Sequence, residues 1–136
     1  MAEPTFDHEK PVVYRFAIEY VSFSYGVARS LSGAIRHLRD QWLRAAQLIP
    51  LNNAEGNGKQ NLKDKNRYFQ TARGSALPCA AVHDMLMAFA VLDEEANRQG
   101  KSQLKRIVSM LTRLIQPTDG DPDAAIEYEY RKAEYE

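Results

Sequence analysis

The chain has 136 residues, of which 44% are hydrophobic and 26% charged, and its 18 basic side chains balance 18 acidic ones. This length and composition are those of a single folded domain and argue against a disordered chain. No apolar window reaches the ~18 residues that a membrane span needs, and residues 1–10 lack the apolar core of a secretory signal, so we expect a cytoplasmic protein.

Two amphipathic helices are predicted in the first half of the chain. Between residues 13 and 31, apolar side chains recur every three or four positions, which is the spacing of one helix face. Residues 30–33 interrupt this pattern, and a second apolar stripe runs through residues 35–49. Pro50 predicts a kink, because proline cannot donate to the carbonyl of Ala46. Asn57-Gly58 is a typical place for this helix to end.

Two further helices are predicted in the second half. Asn61 is a good N-cap, with Asp64 at the third helical position, and the apolar stripe of a long helix then covers residues 69–91, with Pro78 as a second kink site. A break at residues 97–100 precedes a short fourth helix with its stripe at 104–115, which ends at Pro117. Four amphipathic helices with short links predict an all-α, antiparallel up-down-up-down four-helix bundle over residues 12–116.

The two ends of the chain are expected to lie outside this bundle. Residues 1–11 are predicted to be a flexible N-terminus, and residues 117–136 a short acidic tail with a helix-start signal at Asp121-Pro122-Asp123. The tail has 7 acidic and 2 basic residues, whereas residues 1–116 have 11 acidic and 16 basic ones. The neutral total therefore combines a mildly basic bundle with an acidic tail.

No set of side chains in the sequence resembles a catalytic or metal-binding constellation. Cys79 is the only cysteine and lies among small apolar residues, so a buried thiol is favoured over a nucleophile. His8, His37 and His83 are widely separated, and His83 fits a hydrogen-bonded core or interface histidine better than a ligand or base. The acidic run 93–95 is typical of a solvated helix face. We therefore expect no enzymatic activity, no cofactor, no metal and no small-molecule substrate.

Two segments carry a family resemblance. Residues 41–59 (QWLRAAQLIPLNNAEGNGK) and residues 67–77 (RYFQTARGSAL) resemble the hallmark stretches of the four-helix-bundle proteins encoded in intervening sequences of 23S ribosomal RNA genes. The resemblance covers roughly residues 12–116 and implies a homo-oligomeric ring, commonly a pentamer, without established enzymatic activity. A related branch, the accessory variability determinant of diversity-generating retroelements, implies contact with a reverse transcriptase and nucleic acid.

The polar residues of the first hallmark segment suggest structural roles. Asn52 is expected to satisfy the carbonyl that Pro50 leaves unpaired, and Glu55 to pair with Arg67 or Arg73 of the next helix. The motif residues to which we assign structural roles are Arg44, Pro50, Asn52, Ala54, Glu55 and Gly56.

Two hypotheses for the partner follow. The first is a homo-oligomeric bundle that scaffolds a nucleic acid or nucleoprotein, since residues 29–73 hold nine basic residues against three acidic ones. Its candidate phosphate contacts are Arg36, Arg39, Lys59, Lys63 and Lys65, for which a solvated, solubilising face is the alternative interpretation. The second hypothesis is a protein-interaction module without a nucleic-acid role, which docks through the acidic, Tyr-rich tail.

Overall fold

The computed structural model of the chain describes residues 12–117. Four α-helices make up almost all of this part: α1 (Val12–Ala28), α2 (Arg36–Asn57), α3 (Leu62–Ala88) and α4 (Glu94–Leu114). A short 3₁₀ turn, Gly33–Ile35, precedes α2. The predicted four-helix composition is confirmed. The flexible N-terminus predicted for residues 1–11 lies outside the described residues, and so does the acidic tail predicted for residues 117–136, apart from Pro117.

The links before and after α2 form where the sequence places them. α1 ends at Ala28, and Leu31 folds back so that its N–H donates to the carbonyl of Ala28 at 2.9 Å. α2 runs without interruption through Pro50 to Asn57. α3 begins behind Asn61, whose side-chain oxygen accepts from the backbone N–H of Asp64 at 3.2 Å. This bond satisfies one of the unpaired N–H groups of the first helical turn, as predicted.

The link between α3 and α4 differs from the prediction. The break expected at residues 97–100 was wrong, because those residues lie inside α4, and the chain turns at residues 89–93 instead. The N–H of Val91 donates to Leu86 and that of Ala90 to Met87, while Ala90 has a φ of 58°. This bonding pattern is a Schellman motif, which ends a helix through a left-handed residue. Ala90 and Val91, which the predicted stripe placed on the inner face of the third helix, are therefore exposed.

The acidic run 93–95 begins α4. The side chain of Asp93 accepts from the backbone N–H of Ala96 at 2.7 Å, so Asp93 is the N-cap. Glu94 and Glu95 follow in the first turn, where the positive end of the helix dipole favours carboxylates. α4 consequently has 21 residues and is not the short helix that was expected.

Contacts between the helices establish the topology. α3 runs antiparallel to α2, because Gly56 lies against Phe69 near one end of the pair and Trp42 against His83 near the other. α4 runs antiparallel to α3, because Asn66 bonds to Gln116 and His83 packs on Gly100. α1 packs against α2 and α4. In the described part of the chain, each helix thus packs on two neighbours in an up-down-up-down bundle.

The core has an apolar body and a polar centre. One cluster of buried side chains from all four helices includes Trp42, Ile49, Leu86, Ile107 and Leu111. Small residues on α3, among them Ala72 and Ala76, are also fully packed and let neighbouring helices approach closely. None of the described helices is long and apolar enough to cross a membrane.

Candidate functional site

The five basic residues proposed to contact phosphate lie at opposite ends of α2. Arg36 and Arg39 are in its first turn, whereas Lys59, Lys63 and Lys65 follow its last turn or begin α3. A helix rises 1.5 Å per residue, so about 35 Å separates Arg36 from Lys59. The structure therefore does not bring the five residues together on one surface.

Two of these five side chains hold the fold together. Arg39 donates through Nη1 to the carbonyl of Leu31 at 2.9 Å and through Nε to Asp40 at 3.0 Å, which fixes the link between α1 and α2. Lys65 donates through Nζ to the carbonyls of Gly56 and Asn57, at 3.3 and 3.2 Å. These carbonyls belong to the last turn of α2, where a helix leaves acceptors unpaired. A cation there also complements the helix dipole.

A basic and aromatic group of side chains occupies the end of the bundle where α2 passes into α3. The side chain of Tyr68 lies under two cations, since Lys59 Nζ is 5.3 Å and Arg67 Cζ is 5.2 Å from the centre of its ring. Lys63 is exposed on the first turn of α3. We call these four residues, together with Lys65, the basic end. Two carboxylates weaken its charge, because Glu55 lies 3.9 Å from Lys59, and Asp64 lies 4.0 Å from Arg67.

The sequence interpretation missed a second basic feature, on α4. Between residues 96 and 117 there are five basic side chains and no acidic one. At 100° per residue, four of the five project away from the buried stripe of α4, and Lys101 lies on the flank toward α3. We call them the α4 ridge: Arg98, Lys101, Lys105, Arg106 and Arg113. Counting charges on each helix separately would have found the ridge, whereas a count over residues 29–73 excluded it.

The α4 ridge and the basic end meet. The antiparallel packing of α3 and α4 puts the C-terminal end of α4 beside the first turns of α3, where Asn66 bonds to Gln116. One turn further along, Arg73 of α3 donates to Thr112 of α4 at 3.3 Å, and Arg113 follows Thr112. The basic end and Arg113, near the C-terminal end of α4, therefore lie at the same end of the bundle.

Parts of the ridge also have structural partners. The guanidinium of Arg106 lies 4.9 Å from the ring centre of Phe16, which joins α4 to α1. Arg98 pairs with Glu95 at 2.8 Å, and Lys101 pairs with Asp84 of α3. The two ion pairs are on the solvent side, where such contacts contribute little to stability and exchange readily for another anion.

The chemically reactive groups of the described chain are internal. Trp42 Nε1 donates to the hydroxyl of Tyr20 at 3.0 Å, and this hydroxyl lies 2.9 Å from Nε2 of His83. Because indole nitrogen only donates, the hydroxyl proton of Tyr20 is directed to Nε2, and His83 carries its own proton on Nδ1. The three side chains are fully buried. His83 is thus a core histidine, as predicted.

Burial sets the titration of these groups. Desolvation raises the pKa of Tyr20 and raises that of the Cys79 thiol to about 12, so both stay neutral at neutral pH. Desolvation also lowers the pKa of His83, although a contact with Asn97 opposes this shift. His83 Nδ1 and Asn97 Oδ1 are both buried, and neither has full hydrogen-bond geometry, so this contact is loose. Cys79 is a buried thiol, as predicted.

The hallmark residues of α2 have structural contacts, although two partners differ from those predicted. Asn52 Nδ2 donates to the carbonyl of Leu48 at 2.8 Å, not to that of Ala46, because an asparagine side chain bonds most directly to the carbonyl one turn back. Glu55 pairs with Lys59, one turn ahead on the same chain segment, instead of with Arg67 or Arg73.

The other hallmark residues follow the packing of α2. Gly56 is buried against the next helix, and a Cβ there would lie 2.6 Å from Cε1 of Phe69, so only glycine permits this approach. Pro50 is buried, Ala54 is partly buried and Arg44 is exposed. The kink predicted at Pro50 stays a prediction. Among the residues from 12 to 117, no group of His, Cys, Asp or Glu is arranged to hold a metal ion.

These features define a class of protein: an antiparallel four-helix bundle with the reactive groups of the described chain buried and basic side chains exposed along α4 and where α2 passes into α3. The sequence profile of the 23S rRNA-intervening sequence proteins matches residues 9–113. This match covers most of the chain, which therefore belongs to the 23S rRNA-intervening sequence protein family. The resemblance of residues 41–59 and 67–77 is thereby confirmed. A comparison with curated proteins found no match.

Proposed function

We propose that the protein is a non-catalytic bundle that binds nucleic acid along the surface formed by the α4 ridge and the basic end. The observation that carries this proposal is the run of five cations on α4 with no acid among them. From Arg98 to Arg113 the ridge is about 22 Å long. This length spans about six phosphates of one B-form strand, which are spaced 3.4 Å apart along the axis.

The aromatic ring within the basic end supports a nucleic-acid partner over a simple anion. Tyr68 contacts both Lys59 and Arg67 and is partly exposed. Side chains of this kind bind single strands by combining phosphate contacts with stacking on the bases. Non-catalytic action is supported by the burial of Tyr20, Cys79 and His83, which keeps the reactive groups of the core from contact with a substrate.

Binding of labelled RNA and DNA, each single- and double-stranded, measured by fluorescence anisotropy at about 50 and 200 mM salt, tests this proposal. Four phosphate contacts predict a loss of affinity of about 100-fold between these two salt concentrations. Absence of binding to all four nucleic acids at the lower salt would contradict the proposal and leave the basic residues as a solubilising face.

Matched substitutions test the surface itself. Lys105→Gln on the ridge and Lys63→Gln at the basic end each remove one exposed charge, so each is expected to weaken binding several-fold and to reduce the salt slope by about one. Arg36→Gln removes an exposed charge at the far end of α2 and serves as the control. Loss of binding in the Arg36 variant alone would assign the contact to the other end of the bundle.

We further propose that the bundle is a homo-oligomer, which an exposed apolar surface on the α2–α3 hairpin supports. The pairs Gly56–Phe69 and Trp42–His83 set a register that puts Leu48 of α2 level with Leu77 of α3. The exposed apolar side chains on this hairpin are Leu48, Leu51, Leu77, Met85 and Phe89. Exposed apolar side chains at the same level of two packed helices, such as Leu48 and Leu77, favour a protein–protein contact. Sedimentation equilibrium of the whole chain tests this proposal.

A further inference from the structure

We propose that the acidic segment 118–136 binds back onto the basic end of its own chain and competes there with nucleic acid. This inference rests on the proposed function for its consequence and adds a regulatory device to the same surface. Its first support is charge. Residues 118–136 contain seven acidic and two basic residues, a net charge of −5. The basic end and the α4 ridge are surfaces of the described bundle that complement this charge.

The second support is the place where the segment leaves the bundle. Gln116 is fixed by two hydrogen bonds to Asn66, since Asn66 Nδ2 donates to the carbonyl of Gln116 at 2.5 Å and the N–H of Gln116 donates to Asn66 Oδ1 at 3.1 Å. Asn66 is buried on the first turns of α3. It lies between Lys65 and Arg67 in the chain and one turn after Lys63. The last described residue, Pro117, therefore follows a residue that is fixed against the first turns of α3.

The length of the chain limits which cations the first carboxylates of the segment can reach. Asp119, Asp121 and Asp123 follow Pro117 by two, four and six residues, so they lie at most about 21 Å from it. Arg98, at the far end of the ridge, is about 27 Å from Gln116 along the axis of α4. The first three carboxylates of the segment can therefore reach the basic end and the C-terminal part of α4, but not Arg98.

Covalent attachment makes weak contacts effective. A tethered segment has an effective concentration in the millimolar range, so individual ion pairs that contribute little in solution add to a measurable occupancy. Nucleic acid must then displace the segment, and its apparent affinity falls by the fraction of molecules in which the basic end is open. Raised salt weakens both interactions because both are ionic.

Carbodiimide cross-linking of the full-length protein tests the contact without nucleic acid. The reagent joins a carboxylate to an amine in direct contact, and mass spectrometry identifies the pair. We expect carboxylates of residues 119–136 to join Lys59, Lys63 or Lys65, within one chain in a mixture of isotopically labelled and unlabelled protein. Three outcomes would overturn the proposal. They are cross-links of the segment only to Lys101 or Lys105, cross-links of the segment only between chains, and the absence of any cross-link from the segment to the bundle.

Anisotropy with a labelled single-stranded RNA measures the consequence. The full-length variant Asp119→Asn, Asp121→Asn, Asp123→Asn is expected to bind about fivefold more tightly than the unaltered protein at about 50 mM salt. The variant Glu19→Gln, Asp40→Asn, Glu94→Gln makes the same change in net charge on the bundle and is expected to shift affinity less than twofold. Equal gains in the two variants would overturn the inference and leave the proposed function standing. If no form of the protein binds nucleic acid, the proposed function fails, and the cross-links alone decide whether the segment contacts the basic end.

Discussion

The hydrogen-bonded chain Trp42–Tyr20–His83 is the residue-scale feature that distinguishes this core from a purely apolar one. It joins three helices through side chains that are fully buried. A buried polar group without a partner costs about 1–3 kcal/mol, so each member of the chain depends on the other two. The rings also pack on one another, with Trp42 edge-on to His83 at 5.4 Å between centroids. The chain therefore fixes the relative positions of α1, α2 and α3.

Protonation of His83 is predicted to destabilise the fold. Desolvation lowers the pKa of His83 in the folded protein below its ordinary value of 6.5, and nearby Lys101 lowers it further, while Asn97 and Asp84 oppose the shift. The unfolded chain therefore binds a proton first as the pH falls. The stabilising contribution is complete above pH 6.5 and is lost progressively below it, at up to about 1.4 kcal/mol per pH unit for one proton.

Urea unfolding between pH 7.5 and 5 measures this effect. The free energy of unfolding should fall below pH 6.5 in the unaltered protein, and His83→Gln should remove this slope whatever its own cost to stability. The exposed His37 supplies the control, because His37→Gln should leave the slope in place. An unchanged slope in the His83 variant would assign the titration to another group.

For single residues, the sequence predicted whether a side chain is buried better than it predicted the residue to which that side chain bonds. A core histidine at His83 and a buried thiol at Cys79 follow from apolar neighbours at helical spacing. The partner of His83 is 63 residues away in the chain, and the sequence pattern alone carries no information on such a distant pairing. The predicted partners of Asn52 and Glu55 were wrong because both residues bond within one turn of their own segment.

Among the helices, the structure differs from the sequence interpretation in the turn between α3 and α4 and in the position of Gly100. The sequence interpretation placed a break at residues 97–100, and glycine is common at helix ends. The residue that ends α3 in a left-handed conformation is instead Ala90, whose side chain gives no such signal. Gly100 is buried within α4, where a Cβ would lie 2.1 Å from Cε1 of His83 and 2.7 Å from Cε1 of Phe23. Its role is close packing of helices, which a local pattern cannot reveal.

Gly100→Ala is predicted to destabilise the protein by about 1–3 kcal/mol. The substitution gains about 0.5–1 kcal/mol from the helical preference of alanine, but the added methyl displaces the rings of His83 and Phe23, and overpacking of this kind costs more than that gain. Thermal unfolding of the two variants Gly100→Ala and Gly74→Ala provides a matched comparison. Gly74 is exposed within α3 and has nothing within 4 Å of an added Cβ. Its variant should be more stable than the unaltered protein, and equal behaviour of the two would disprove the packing role of Gly100.

Across the whole molecule, the fold was more predictable than the surface. Helical periodicity and short links predicted the four helices and their antiparallel order, because each amphipathic helix must bury its apolar stripe against its neighbours. The candidate nucleic-acid residues were chosen by their closeness in the chain, and α2 separates them by its length. The C-terminal end of the α4 ridge lies at the same end of the bundle as the basic end only through the antiparallel packing of α3 and α4, which the bond between Asn66 and Gln116 fixes. Prediction of a surface formed by two helices requires the register in which they pack, and the sequence pattern does not give this register.

The apolar surface of the α2–α3 hairpin leads to the last prediction. Leu77 is 71% exposed and Phe89 is 54% exposed, on a stretch of α3 where Asp84 is the one exposed charge between residues 74 and 91. A helix that is apolar on its outer as well as its inner face is normally covered. If a second copy of the chain covers this surface, Leu77→Lys places a charge in the contact and should reduce the sedimentation-equilibrium mass to one chain of 15.5 kDa. Ile18→Lys, at an exposed apolar position on α1, should leave the oligomer intact. A mass of one chain for the unaltered protein would rule out self-association, and dissociation by the Ile18 variant alone would move the contact to α1.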